Sequence, residues 1–210
     1  MKGVWSGWVG RAVLLWGVLL LAGCAVVPLA ATETVVGVAG EAVVLQKFWL
    51  NARMSVRVER PQEPVQQASG RLLWLHETVE DRVQLLSPFG QILAEMLREP
   101  QGVSLRLANG QRLTAPSLDE LVRRNLGYPV PFEALPDWLA GKGSARSILQ
   151  RDELDRPLWL QDGLWQVRYR YQDSQRLPAS VLIESAEGIQ LRLLPDQWLT
   201  GEDANAALMP

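Results

Sequence analysis

The sequence predicts a mainly β protein: a long antiparallel sheet, strongly curved or rolled into a barrel, interrupted once by short helices. Three observations predict it. Apolar and polar residues alternate with period two in several separate runs, turn-forming residues stand between those runs, and once begun the alternation gives way to helical spacing in one stretch, from about Pro116 to Gly143. The chain has 210 residues, 48% hydrophobic and 21% charged, enough to bury a core without covalent staples. One cysteine and one histidine exclude an intramolecular disulfide and make cysteine-rich or multi-histidine metal sites hard to build. A formal net charge of −2 lacks the electrostatic footprint of a nucleic-acid binder.

Residues 1–23 read as a signal peptide. Lys2 and Arg11 make a positive start, Ala12 to Ala22 is an uncharged apolar run too short for a comfortable membrane span, and Leu21-Ala22-Gly23-Cys24 follows it directly. These four residues resemble the bacterial lipobox, in which cleavage falls before a cysteine that carries diacylglycerol. Cys24 is then the lipid attachment site. Cleavage takes the formal charge from −2 to −4, so attachment must come from acyl chains and not from attraction to anionic lipid. Ala25 stands where an aspartate commonly retains such proteins in the inner membrane, which implies delivery to the outer one. Residues 24–40, small and aliphatic, read as a lipidated tether; 41–200 as one domain; 201–210 as a disordered tail.

Within the domain, Val44, Leu45, Phe48 and Trp49 have helical spacing and predict a helix over 41–51. Ala52, Met54, Val56 and Val58 then alternate with Arg53, Ser55, Arg57 and Glu59 as in a half-buried strand. The same pattern recurs at Val103 to Leu107, Trp165 to Tyr171 and Ile189 to Leu193, with turns expected at 61–64, 87–90, 109–110 and 173–175. Ser117 and Glu120 form a capping-box pattern that opens one helix, closed by Gly127; a second short helix ends at Gly141. Their apolar faces need something to cover, and an open barrel mouth would supply it.

Catalytic motifs are missing from this reading. There is no phosphate-binding loop and no G-x-S-x-G elbow, and His76-Glu77-Thr78-Val79-Glu80 has only the first half of a zinc-binding pair, so it reads as a solvated loop. Six tryptophans remain after residue 24, and most fall on the apolar side of their element; they fill a core or line a cavity for a long apolar ligand.

The order of motifs resembles the LolB family of outer-membrane lipoprotein receptors. It is carried by the lipobox at Cys24, the strand ASGRLLWLH from Ala68 to His76, LLSPFGQ from Leu85 to Gln91, and Asn109-Gly110-Gln111. It continues through LGYPVP from Leu126 to Pro131, LPDWLAG from Leu135 to Gly141, GLWQVRYRY from Gly163 to Tyr171, and Leu177-Pro178. The resemblance implies an unclosed antiparallel β-barrel with a lid of short α-helices over an apolar cavity, and no cofactor. It implies a non-enzymatic protein that takes lipoproteins from the periplasmic carrier LolA and inserts them into the outer membrane. Its expected partners are that carrier, lipoprotein acyl chains and outer-membrane lipid, with the protein a monomer. The family usually has Pro-Leu-Gly on a protruding, membrane-touching loop, where this chain has Pro88, Phe89 and Gly90 after Ser87. Cavity-lining candidates, taken from the apolar faces, are Val56, Trp74, Leu86, Met96, Trp138, Trp165 and Tyr169. The alternative is a structural outer-membrane lipoprotein with a packed barrel; an anchored hydrolase ranks below both.

Overall fold

The computed structural model describes residues 45–126 and 131–206. The signal peptide, Cys24, the tether, the start of the expected first helix, Gly127 and residues 207–210 lie outside the described residues. Eleven strands form one antiparallel sheet: β1 (Lys47–Val58), β2 (Gln66–Glu77), β3 (Asp81–Leu86), β4 (Ile92–Glu99), β5 (Gly102–Leu107), β6 (Arg112–Ala115), β7 (Ile148–Arg151), β8 (Pro157–Asp162), β9 (Trp165–Arg170), β10 (Ser180–Ser185) and β11 (Ile189–Thr200). Their spatial order is β6-β5-β4-β3-β2-β1-β11-β10-β9-β8-β7. The sheet is not closed. Its two edge strands, β6 and β7, flank the helical insertion, so the segment between them carries the chain from one edge of the sheet to the other.

That insertion holds helix α1 (Leu118–Leu126), a 3-10 turn at Phe132–Ala134 and helix α2 (Leu135–Leu139). The main core is formed by the inward residues of nearly every strand together with Leu118, Leu121 and Val122 of α1 and Leu135, Trp138 and Leu139 of α2. Period-two alternation therefore puts one face of the sheet against the helices and the other toward water.

The expected helix over 41–51 is corrected from Lys47 onward, where the chain is already strand β1. The reason is burial on both faces. Phe48, Leu50 and Ala52 point into the main core, while Trp49 points outward and packs with Leu73 and Ala204. A strand covered on both sides reads as a continuous apolar run, and short runs of that kind are indistinguishable from helix by spacing. The outer cover comes from residues expected to be a disordered tail: Gly201–Ala206 form a 3-10 helix, and Ala204 is fully buried.

Two local features shape the sheet. Opposite Asn51 and Ala52, β11 carries a bulge that lets Pro195 sit in a central strand and leaves Asp196 facing Arg53 at 3.1 Å and Arg71 at 3.6 Å. At Gly70 of β2 a Cβ would lie 2.3 Å from the carbonyl oxygen of Leu86, so only glycine allows the end of β3 to come this close.

Candidate functional site

The inner face is fastened to the lid at one side. Trp138 Nε1 donates to Asp162 Oδ2 at 3.0 Å, and the Ser144 backbone N–H and hydroxyl donate to the same carboxylate at 2.9 and 2.6 Å. Burial pushes the Asp162 carboxyl up, but these bonds from Ser144 and Trp138 outweigh it and hold it below its ordinary value. The Tyr169 hydroxyl donates to the Trp138 carbonyl at 2.6 Å, and burial keeps that phenol protonated. Helix α2 is thereby pinned over β8 and β9, where Leu160 and Val167 are fully buried, with Val181 of β10 buried beside them.

Helix α1 is held more lightly. The Glu120 backbone N–H donates to Ser117 Oγ at 3.2 Å, while the Glu120 carboxylate pairs with Arg124, so only the serine half of the expected capping box forms. Asp119 Oδ1 accepts from the Phe132 backbone N–H at 2.8 Å and ties α1 to the turn that follows. Burial raises the Asp119 carboxyl above its ordinary value despite that bond.

Between this part of the lid and the sheet lies a cavity of about 980 Å³. Its walls are Met54 and Val56 of β1, Leu72 and Trp74 of β2, Val83 and Leu85 of β3, Ala94 and Met96 of β4, Leu105 of β5 and Leu113 of β6, with α1, Phe132, Leu135 and Trp138 above. Trp165, Ile183, Leu191 and Leu193 complete it. The volume is at the upper end of the roughly 300 to 1,000 Å³ usual for small-molecule pockets, and the lining is mostly apolar.

One end of the cavity is polar. Asp81 is buried and accepts from Trp74 Nε1 at 2.8 Å, pairs with His76 Nδ1 at 2.6 Å, and accepts from Arg98 Nε. The Phe48 ring stacks on the imidazole at 4.9 Å. Burial pushes the Asp81 carboxyl up, but the hydrogen bonds from His76, Trp74 and Arg98, with the electrostatic pull of the His76 ring, hold it below its ordinary value. His76 is thus a buried residue at the end of β2, as the strand from Ala68 to His76 implies, and the solvated-loop reading holds only for the exposed Thr78 and Val79 that follow.

Of the cavity candidates, Val56, Trp74, Met96, Trp138 and Trp165 lie on the wall. Two are corrected. Val83 and Leu85 face inward, so period two turns Leu86 to the outer face, where it packs with the cluster around Trp49 and Leu73. Tyr169 faces inward but lies under the pinned helix, packed, with its hydroxyl spent on Trp138. Leu72, Val83, Leu105 and Leu113 were missed, although their alternation marks an inward face. Asp81 was missed because nothing local ties it to Arg98, seventeen positions away.

The 87–91 turn is tightly held. Ser87 exchanges backbone bonds with Gly90 and Gln91, and its hydroxyl accepts from the backbone N–H groups of Phe89 and Gln91, both at 3.2 Å. Gly90 takes φ +82°, the left-handed region such a turn requires. The result projects Phe89 into solvent with 92% of its surface exposed. Pro88 and Gly90 therefore frame the tip, and Ser87 anchors it.

A family model described as Outer membrane lipoprotein LolB matches residues 46–198, which span nearly all the described strands. The chain belongs to the LolB family of outer-membrane lipoproteins. The Outer-membrane lipoprotein LolB of Dechloromonas aromatica is 34% identical over 190 residues, covering 90% of this chain and 96% of that relative. The one from an Azoarcus species is 34% identical over 155 residues, covering 72% and 78%. A solved LolA superfamily protein from Nitrosomonas europaea covers 80% of this chain and 91% of its own at 12% identity, with a TM-score of 0.45. As a LolB-family member the chain is an outer-membrane lipoprotein.

Proposed function

We propose that this LolB-family protein accepts lipoproteins from the periplasmic carrier LolA, holds their acyl chains in the lidded cavity, and releases them into the outer membrane without ATP or any cofactor. The observation that carries this reading is the cavity of about 980 Å³ with its apolar wall, in a sheet that would otherwise be packed solid. Cys24 carries the acyl anchor that keeps the receptor at that membrane.

Transfer needs no fuel if each station binds the chains better than the one before. A tenfold step in affinity is about 1.4 kcal/mol, less than two buried methylenes supply at roughly 0.8 kcal/mol each. A cavity only slightly more apolar than the carrier's suffices, and the bilayer interior outcompetes both. Phe89 acts at the last step. Its ring, displayed at a rigid tip, enters the interface and brings the loaded cavity to the lipid.

Binding is tested by quenching of tryptophan emission with a brominated fatty acid, since Trp74, Trp138 and Trp165 line the cavity. Saturable quenching that weakens in Trp74→Phe and Trp165→Phe supports the reading; no quenching at saturating probe overturns it. Cys24→Ser gives unprocessed or mislocalised protein, and normal processing with outer-membrane fractionation would remove Cys24 as the anchor.

A further inference from the structure

We propose that Leu164, at the tip of the β8–β9 hairpin, is a second membrane-contacting residue, acting at the same end of the half-barrel as Phe89. This rests on the reading of Phe89 given above.

The strand connections place the two tips together. In an antiparallel sheet of sequential hairpins, the turns after β1, β3, β5, β8 and β10 fall at one end, and those after β2, β4, β7 and β9 at the other. Phe89 lies in the turn after β3 and Leu164 in the turn after β8, on opposite arms of the sheet. Leu164 is 60% exposed, yet its backbone is fixed. Its carbonyl accepts from the Ala186 N–H at 3.0 Å, Gln161 Nε2 donates to the Gly163 carbonyl at 2.6 Å, and Gly163 supplies φ +59° for the tight turn. An apolar side chain is thus displayed by a structured turn, as Phe89 is.

Charge is unevenly spread over the two ends. The 87–91, 108–111 and 163–164 turns contain no charged residue, while the other two turns at that end carry Glu59, Arg60, Glu63 and Glu187; the opposite end is the more charged, with Asp152, Glu153, Asp155 and Arg156 in the 152–156 turn and Glu80, Asp173 and Arg176 in its neighbours. Placing an ionised carboxylate in a bilayer interface costs desolvation, so the uncharged tips at Phe89 and Leu164 are the points that lipid accepts. Two apolar points on separate arms fix the tilt of the cavity relative to the membrane, which one point cannot do.

The anchor permits this orientation. The described chain enters at Leu45, at the charged end, and β1 is about 40 Å long at roughly 3.3 Å per residue. The roughly 20 residues from Cys24 to Leu45 reach about 70 Å when extended, enough to let the far end face the same bilayer.

The test uses the full lipidated chain in liposomes. Cys24 is the only cysteine and is blocked by lipid, so Leu164→Cys, Phe89→Cys and Val79→Cys each carry one free thiol for an environment-sensitive fluorophore. Val79 is also 60% exposed but sits in the turn after β2, at the charged end. Blue-shifted emission and quenching by brominated phospholipid at 89 and 164, but not at 79, supports the proposal. A response at 89 with 164 behaving like 79 overturns the proposal and leaves the Phe89 reading standing. A response at 164 alone supports the Leu164 contact and overturns the Phe89 reading. Silence at both overturns both, and an equal response at 79 overturns the assigned orientation.

Discussion

The two arms of the inner face share one sequence pattern and have opposite fates. Across β8 to β10, Leu160, Val167 and Val181 are sealed under α2, which Asp162, Ser144 and Tyr169 clamp in place. Across β1 to β6, residues of the same kind line a cavity beneath α1, which packs against the edge strands β5 and β6. An alternating strand specifies an apolar surface; the height of whatever lies above it decides whether that surface is core or binding site.

The sharpest way to break this comparison is to cut the same side chain in both arms. Leu160→Ala should lose about 2 to 5 kcal/mol, because the packed arm cannot collapse around the hole. Leu105→Ala, on the cavity wall and partly exposed, should lose under about 1.5 kcal/mol, since its side chain already borders empty space. Urea unfolding measures both, and equal losses would mean that the two arms are packed alike.

Next in size is the polar end of the cavity, where the Asp81 cluster takes the place of packing. Asp81→Asn should cost about 1 to 3 kcal/mol at neutral pH by leaving Arg98 and His76 short of an acceptor. The folded carboxyl lies below its ordinary value of 3.8, so its stabilising contribution is complete above that value and is lost as pH falls through the lower folded one. Unfolding midpoints followed down to about pH 2 should fall more steeply in the parent than in Asp81→Asn, and parallel curves would remove Asp81 from the account.

Filling the empty arm is the converse operation. Ala94→Phe places a ring against the cavity wall, where there is room for it; stability should move by no more than about 1 kcal/mol, less than overpacking costs in a dense core. Affinity for a fluorescent acyl probe should fall about tenfold or more, the equivalent of about two excluded methylenes. Unchanged affinity would put the acyl chain elsewhere.

The smallest stability effect belongs to Phe89→Glu. An exposed turn tip should shift stability by under about 0.5 kcal/mol, and loading from the carrier should survive. Release of labelled lipoprotein to liposomes should fail, because the new carboxylate resists leaving water. Loss of both steps together, or a large drop in melting temperature, would make Phe89 part of the packed structure.

Much of this was legible in local order. The curved antiparallel sheet followed from period two, the two lid helices from Ser117 and the apolar spacing after it, and the exposed tip from Pro88 and Gly90 flanking Phe89. The errors came where a partner distant in sequence changed what a residue touches. Trp49 read as helix because a 3-10 helix at 201–206 covers the outer face of β1. The burial of His76 was not legible because Asp81 and Arg98 cover it at the strand end. Leu86 was assigned to the wrong face by a slip of one residue, and in a strand one residue reverses the side.

The sequence by itself determined which side chains are apolar, how they alternate, and where the chain must turn, since these depend on neighbours a few positions away. It also carried enough motif order to mark the LolB family. Only the tertiary structure decided that Tyr169 is packed while Val56 faces empty space, because that depends on where α2 is clamped, by a carboxylate on β8 and a phenol on β9 that local sequence does not connect to it.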